Sequence, residues 1–475
     1  MQSSAMSTRV SLSGALALLA WLIPTAGLAQ QVPLAQILPE LLGNTIRLEP
    51  SHLPDQPTHI GHFQPGLDQS KVPSRVNEAV LTLLSTNPVG TPGGGFTYVF
   101  DPTLGSFTRS SNSFGPSFAE RALTTGRGKA SMGFGLQHAN YDTFEGLSLK
   151  QRDIVFYVQH TECCSPGSAG QSIPDQSRLT PPFEGDLIKA ALRLQLVSDT
   201  STVVATYGLT DRFDIGLTVP FVRVKVDADV EASIIRLSTA LEPTVHTFEG
   251  ANPDQRTFSL GGTAAGLGDI VLRAKYRVPV PGVGVAAGIE TRLPTGDESN
   301  LLGTGGVQAK LIGIVSLDRG RVSPHLNVGY TFSSDGALPG AQLHDEVFLT
   351  AGADAAVTPR LTMSFDVLSR TLLDAGRMRM GQKAFDYAQS GAGAGAGGGG
   401  GGGGAGRPTT PVATQTFTFS ELEFVGGNLN LYLGAAGIRF NPWRTLLVSG
   451  NLLFPFTDRG LRDRVTPSIG IDYLF

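Results

Sequence analysis

Residues 465–475 alternate between apolar and polar side chains. Val465, Pro467, Ile469, Ile471, Tyr473 and Phe475 form one set, and Thr466, Ser468, Gly470 and Asp472 stand between them. Only Leu474 breaks the polar set. A period of two gives an extended strand one apolar and one polar face. Such a strand, ending on an aromatic residue, has the pattern of a bacterial outer-membrane barrel, in which the apolar face meets lipid and the polar face meets the lumen. A soluble sandwich strand also alternates, so the rest of the chain has to separate the two. Tyr473 and the terminal Phe475 resemble the signal that the barrel-assembly machinery reads, which makes that machinery an expected partner.

The same unit recurs from residue 187 onward: alternating strand, short turn, alternating strand, longer loop. The expected outward sets are Ile188, Ala190, Leu192, Leu194 and Leu196; Val203, Ala205 and Tyr207; and Phe213, Ile215, Leu217 and Val219. They continue with Ile270, Leu272, Ala274 and Tyr276, with Val283, Val285, Ala287 and Ile289, and with Val322, Leu326, Val328, Tyr330 and Phe332. Leu361, Met363, Phe365 and Val367, then Leu446, Val448, Leu452 and Phe454, complete the series. Short connections rich in Asp, Asn, Gly and Pro fall at 210–212, 280–282, 317–321, 358–360 and 441–443, as turn chemistry requires. Long loops are expected at 227–266, 294–305, 333–345, 370–428 and 457–463. Short and long connections in strict alternation mark the two rims of an outer-membrane barrel. A sandwich has no reason to sort its loops this way. The expected fold is all-β: an antiparallel transmembrane β-barrel of 12–14 strands with short periplasmic turns and long extracellular loops.

The amino terminus reads as a secretory signal over residues 1–29: Arg9, an apolar core at 10–23, Pro24, then Gly27-Leu28-Ala29 before the cut. The core is too short for a membrane anchor, which needs ~20 residues. Residues 30–115 are expected to be a helical and irregular extension or plug, with an amphipathic helix over 33–42 built on Leu34, Ile37, Leu38, Leu41 and Leu42. The barrel is expected over 116–475. Within it, residues 391–406 are all Gly and Ala and predict a disordered tract in a loop. Adjacent Cys163 and Cys164 are poorly spaced for an unstrained disulfide, and although His160 and Glu162 are near, an exposed loop seldom holds a closed metal site.

Removal of Arg9 with the leader takes the formal charge from −4 to −5, and that mild acidity argues against a nucleic-acid partner. Charged residues are only 16% of the chain, below the ~25% usual in soluble domains, as a half-apolar barrel requires. Residues between the apolar ones are expected to line the lumen, since Arg or Lys facing lipid near the midplane costs ~2–4 kcal/mol. They are Lys189, Arg193, Arg223, Asp269, Arg273, Lys275, Arg277, Glu290 and Arg292, together with Asp214, Lys225, Lys310, Asp366 and Asp472. They form either an ion-pair network that holds the lumen shut or a selectivity surface, positive on balance, for an anionic or hydrogen-bonding solute. No catalytic residue, metal site or cofactor is expected. The histidines are scattered without metal spacing, and the only local pair, Ser323 with His325, is no dyad by sequence alone. The glycine clusters at 266–268 and 303–306 lack the features of a nucleotide loop.

Three motifs carry a family likeness: Tyr207-Gly-Leu-Thr-Asp-Arg-Phe-Asp-Ile-Gly-Leu-Thr-Val-Pro-Phe221, Gly266-Leu-Gly-Asp-Ile-Val-Leu-Arg-Ala-Lys-Tyr276, and Arg292-Leu-Pro-Thr-Gly-Asp297 with Leu302-Gly-Thr-Gly305. They resemble the outer-membrane family named for the meta pathway of phenol degradation, over roughly residues 115–475. That family is itself similar to the hydrocarbon and fatty-acid channels of the outer membrane. The resemblance implies a barrel that transports hydrophobic or aromatic compounds, and the leading reading is a monomeric channel in the outer-membrane lipid that admits small solutes of that kind. The alternative is a structural or surface-display barrel with a closed lumen.

Overall fold

The computed structural model describes residues 32–49, 76, 78, 80, 88, 98–101, 106–109, 111–159, 186–237, 246–336, 342–389 and 413–475. The expected leader, the Cys163–Cys164 pair with His160 and Glu162, and the Gly/Ala tract lie outside the described residues.

Alternation in the sequence becomes strand in the structure. A small hairpin, β1 (Tyr98–Asp101) and β2 (Ser106–Arg109), precedes β3 (Ala130–Tyr141), β4 (Thr143–Phe144), β5 (Leu147–Ser148), β6 (Ile154–Gln159), β7 (Leu187–Gly208) and β8 (Phe213–Ile235). Then follow β9 (Gln255–Leu267), β10 (Val271–Val278), β11 (Gly284–Arg292), β12 (Gln308–Ser316), β13 (Val322–Ser333), β14 (Glu346–Thr358) and β15 (Leu361–Leu372). The chain ends with β16 (Arg377–Gln389), β17 (Ala413–Val425), β18 (Leu429–Trp443), β19 (Leu446–Pro455), β20 (Leu461–Arg462) and β21 (Thr466–Leu474). Twelve strands close into an antiparallel ring in the order β7-β3-β21-β19-β18-β15-β14-β13-β12-β11-β10-β8, and the β7–β8 pairing shuts it. That is the lower end of the expected range.

The outside of this ring is apolar. Leu272 is 46% exposed and Ile469 61%, and with Met132, Phe134, Ile215, Leu217, Ile289, Leu326, Met363 and Phe365 they form a belt that a soluble protein would hide. On β8 the belt runs from Phe213 to Phe221, nine residues, the length a tilted strand needs to cross a bilayer core. No helix among the described residues is long and apolar enough to cross a membrane. The chain spans its membrane with strands.

Strands β7 and β8 are 22 and 23 residues long and continue past the belt at the long-loop, extracellular rim. There the amphipathic sense inverts. Outward positions on β8 change from Phe213, Ile215, Leu217, Val219 and Phe221 to Arg223, Lys225, Asp227, Asp229 and Glu231, with no change of parity. Inward positions become Val224, Val226, Ala228, Val230 and Ala232, all buried. Water replaces lipid outside the extension, so the ordinary apolar-inside rule returns. The expected outward set Ile188, Ala190, Leu192, Leu194 and Leu196 is therefore inward, on the buried face of the upper half of β7. For the same reason residues 227–266 are not a plain loop. They contain the upper half of β8 and all but one residue of β9, in register from Phe221↔Leu267 to Ser233↔Gln255.

Against this inner face lies the expected amphipathic helix. It runs from Leu34 to Thr45 as three successive turns (Leu34–Gln36, Ile37–Glu40 and Leu41–Thr45). Leu34, Ile37, Leu38, Leu41 and Leu42 are all buried and share one apolar cluster with Leu192, Leu194, Val226, Val230, Phe258, Leu372 and Leu431. At ~1.5–3 kcal/mol for each fully buried aliphatic side chain, this contact adds to the support that the β7–β8 and β8–β9 ladders give the extension.

Candidate functional site: a chamber between two lumenal segments

Two further pieces of chain turn into the barrel. Residues 111–127, which straddle the expected boundary at 115/116, cross the lumen at the periplasmic, short-turn end. A backbone that leaves secondary structure inside a barrel must find partners for its N–H and C=O groups, and inward side chains supply them. The Phe114 N–H donates to Thr362 Oγ1 (3.0 Å), and Arg439 donates to the Phe114 carbonyl (3.0 Å). The Glu120 N–H donates to Asn327 Oδ1 (2.7 Å), whose Nδ2 donates back to the Glu120 carbonyl (2.9 Å). The Ala122 N–H donates to Ser316 Oγ (3.1 Å).

Charge locks the same segment. The Glu120 carboxylate forms an ion pair with Arg273 and lies 3.8 Å from Lys275, while Arg273 also reaches Glu290 at 3.5 Å. Arg121 pairs with Asp318 and comes within 3.8 Å of Asp354. The first motif holds the exit of the segment. Asp214 Oδ2 accepts from the Thr125 N–H (2.8 Å), Asp211 Oδ1 accepts from the Arg127 N–H (3.2 Å), and Gly128 and Gly208 lie backbone to backbone. A Cβ on Gly208 would fall 2.0 Å from the Gly126 carbonyl oxygen, so only glycine fits there.

The second and third motifs fold the loop 294–305 inward at the opposite end. β9 and β10 lie along β8 as one strand broken at 268–270, and the break turns Asp269 into the barrel. Asp269, only 3% exposed, accepts from the Gly296 N–H (3.1 Å), the Thr304 N–H (2.8 Å) and Thr304 Oγ1 (2.8 Å). Thr295 Oγ1 donates to the Gly268 carbonyl (2.8 Å) and accepts from the Ile270 N–H (2.9 Å). A Cβ on Gly303 would meet Asp269 Oδ1 at 2.4 Å. Burial works against ionising Asp297, yet donation from Ser299 and Asn300 holds its carboxyl below the usual range. The loop thereby fixes Leu301 and Leu302 inside the lumen, and Asn300 Oδ1 accepts from the Leu34 N–H (3.3 Å).

Between the two segments is a cavity of about 290 Å³. One wall, from β7, β8 and β10, carries small hydroxyl and apolar groups: Ser198, Thr200, Thr202, Thr218, Val222 and Val271. The other wall, from β11 to β15, carries Glu290, Arg292, Lys310, Glu346, Phe348 and Arg370. Arg370 clasps Glu346 through two hydrogen bonds (2.7 and 2.6 Å), and the Lys310 ammonium sits 3.9 Å from the centre of the Phe348 ring.

Of the residues singled out from the sequence, Asp269, Glu290 and Arg292 line this chamber, with Arg273 and Lys275 just below it against Glu120. Arg277 shares their parity at the periplasmic rim. Lys189, Arg193 and Arg223 do not line the lumen. They stand on the outer face of the extension, where Arg193 pairs with Asp229 and Arg223 with Asp199; water, not lipid, faces them, so no lumen is needed to shelter their charge. Lys225 belongs with them. Phe475, 69% exposed, and Tyr473 stack edge to face at 4.8 Å on the outer surface. His325 bonds to Asp366 through Nε2 (2.6 Å), and its Nδ1 faces the Ser323 carbonyl (3.3 Å), whereas the Ser323 hydroxyl bonds to Asp318 and Ser113. Sequence reading missed Glu120, Arg121, Glu346 and Phe348. The acidic-basic pair 120–121 was its one available signal.

Residues 169–397 match the family model described as "Putative MetA-pathway of phenol degradation". All three motifs lie inside that span. The family likeness is shown over just under half of the chain. No curated protein matches it. Solved structures similar to it include an outer membrane channel from Pseudomonas putida F1 (12% identity, TM-score 0.40, 74% of this chain and 98% of that one). A CymD monoaromatic hydrocarbon channel follows at 9% identity and TM-score 0.34, covering 74% and 88%. A FadL homologue from Pseudomonas aeruginosa stands at 10% identity and TM-score 0.26, covering 73% and 88%. Overlaps this loose carry no argument of their own. The closed antiparallel barrel and its lipid-facing belt are what place the chain in the bacterial outer membrane.

Proposed function

We propose that the protein is an outer-membrane channel for small hydrophobic or aromatic compounds, and that its two lumenal segments are its gates. The observation that carries this reading is the cavity between them. A barrel built only for structure or display would have no use for a solute-sized space with one apolar, hydroxyl-bearing wall and one charged wall. An enclosed space in which apolar groups (Val222, Val271, Leu302 and Phe348) meet fixed polar ones is what a small-molecule site requires. The family description, with its reference to phenol degradation, points the same way. The helical run 34–45 with loop 294–305 acts as the outer plug, and residues 111–127 act as the inner one. Asp269, Glu290 and Arg292, with Arg273 and Lys275, serve the lumen by holding these segments; permeating solute meets the first three. The channel works as a monomer, without cofactor or catalysis, after insertion by the barrel-assembly machinery.

The test is uptake by intact cells. Expression of the protein in cells lacking it should raise the rate at which a dilute single-ring aromatic compound crosses the outer membrane, with no effect on a disaccharide. Unchanged aromatic uptake with normal barrel in the membrane would favour the alternative, a closed display barrel.

A further inference from the structure

Two buried polar atoms on the chamber's hydroxyl-bearing side have no hydrogen-bond partner among the described residues: Gln137 Oε1 and Thr202 Oγ1. Both residues line the cavity, and they are 7% and 2% exposed. The amide of Gln137 is oriented by its other end, because Nε2 donates to the Pro88 carbonyl (3.1 Å), which leaves Oε1 as an acceptor. Thr202 Oγ1 offers a donor as well as an acceptor. Gln137 on β3 pairs with Thr200 on β7, so Thr202 is its diagonal neighbour on the same inner face. Diagonal neighbours lie ~7–8 Å apart, within reach of one small solute. Leaving buried polar atoms unpaired is costly, and a solute hydroxyl would satisfy both, donating to Gln137 and accepting from Thr202.

The charges lining the cavity decide against an anion. Arg292, Lys310 and Arg370 face Asp269, Glu290 and Glu346, three cations against three carboxylates, while Glu120 is taken up by Arg273 and Lys275 just below. Arg370 is already clasped by Glu346. A solute carboxylate would lose its hydration without gaining a net positive field, which unpaired burial of charge makes unfavourable.

Resting on the channel reading above, we infer that Gln137 and Thr202 form a hydroxyl-recognition notch, so that the chamber selects neutral, hydroxylated single-ring solutes over both bare hydrocarbons and carboxylates. This differs from the second of the two lumen readings offered by the sequence, a surface positive on balance for an anionic or hydrogen-bonding solute, in dropping the anion and keeping the hydrogen bond.

The probes are 4-fluorobenzyl alcohol, 4-fluorotoluene and 4-fluorobenzoate, whose binding to the full-length barrel in one detergent is followed by fluorine NMR. The alcohol should bind about tenfold tighter than the toluene, and the benzoate weakest. Thr202→Val, which breaks no internal bond, should shrink the gap between alcohol and toluene, and adding Gln137→Leu should close it. Heat-modifiable migration checks that each variant is folded; if the double variant is not, Thr202→Val alone decides. Equal binding of alcohol and toluene, a gap that survives Thr202→Val, or preferred binding of the benzoate would overturn the inference while leaving a solute-binding channel. Binding of none of the three would overturn the channel reading along with it.

Discussion

At the scale of single residues, the barrel interior is a set of side chains that exist to hold other parts of the same chain. Arg273 and Lys275 look like a basic permeation row when read along β10, but both are directed at Glu120. Removing one side of a buried ion pair strands the other in low dielectric and costs ~3–5 kcal/mol. Arg273→Ala with Lys275→Ala should therefore raise the resting conductance in planar bilayers and lower the unfolding temperature together, and Glu120→Ala should do the same. A change in ion selectivity with unaltered stability would mean that the row serves permeation instead. Gly303→Ala belongs to the same scale. Its Cβ collides with Asp269, so the variant should release loop 294–305, measured as faster proteolysis of that loop in the folded barrel. That Asp269 faces the lumen could be read from alternation. That it binds Gly296 and Thr304, 27 and 35 residues onward, could not, because no local pattern records a contact between a strand break and a distant loop.

At the scale of elements, the inversion along β7 and β8 is the main lesson. Alternation told which residues share a face on the strands where it was read, and the belt Leu272, Ala274, Tyr276 is where the sequence put it. Which face is outward depends on what surrounds the strand, and lipid and water give opposite answers for the same pattern. The signal was present: Leu192 and Tyr207 both read as outward, yet they have opposite parity on one unbroken strand. In a background free of Cys163 and Cys164, cysteines at Lys189, Arg193 and Arg223 should react with a membrane-impermeant thiol reagent added to whole cells. Those at Leu192 and Val226 should be protected; the reverse pattern would put the extension inside out. The helical run 34–45 completes the extension. Leu41, fully buried, should cost ~2–5 kcal/mol as Leu41→Ala, detected in the unfolding of the extension by hydrogen exchange on β8 residues 224–234. Unchanged protection there would deny the helix its supporting role.

At the scale of the whole molecule, the three motifs that mark the family turn out to serve one design. The first, at the turn after β7, anchors the inner segment; the second and third fold the outer loop over the broken β9–β10 strand; and the chamber is what remains between them. The ring of twelve strands was legible because it is written locally, strand by strand. The lumenal segments were not, because residues 111–127 have neither alternation nor helical spacing and are shaped wholly by the side chains around them. The central claim is that residues 111–127 must move for solute to pass. Ser113 and Ser323 face each other with their hydroxyl oxygens 3.3 Å apart, one on the segment and one on β13. Ser113→Cys with Ser323→Cys, again without Cys163 and Cys164, should form a disulfide that ties the segment to the wall. Uptake of a single-ring aromatic compound by cells carrying this variant should be lost in the oxidised form and restored by a reductant. Equal uptake in both states would contradict the account.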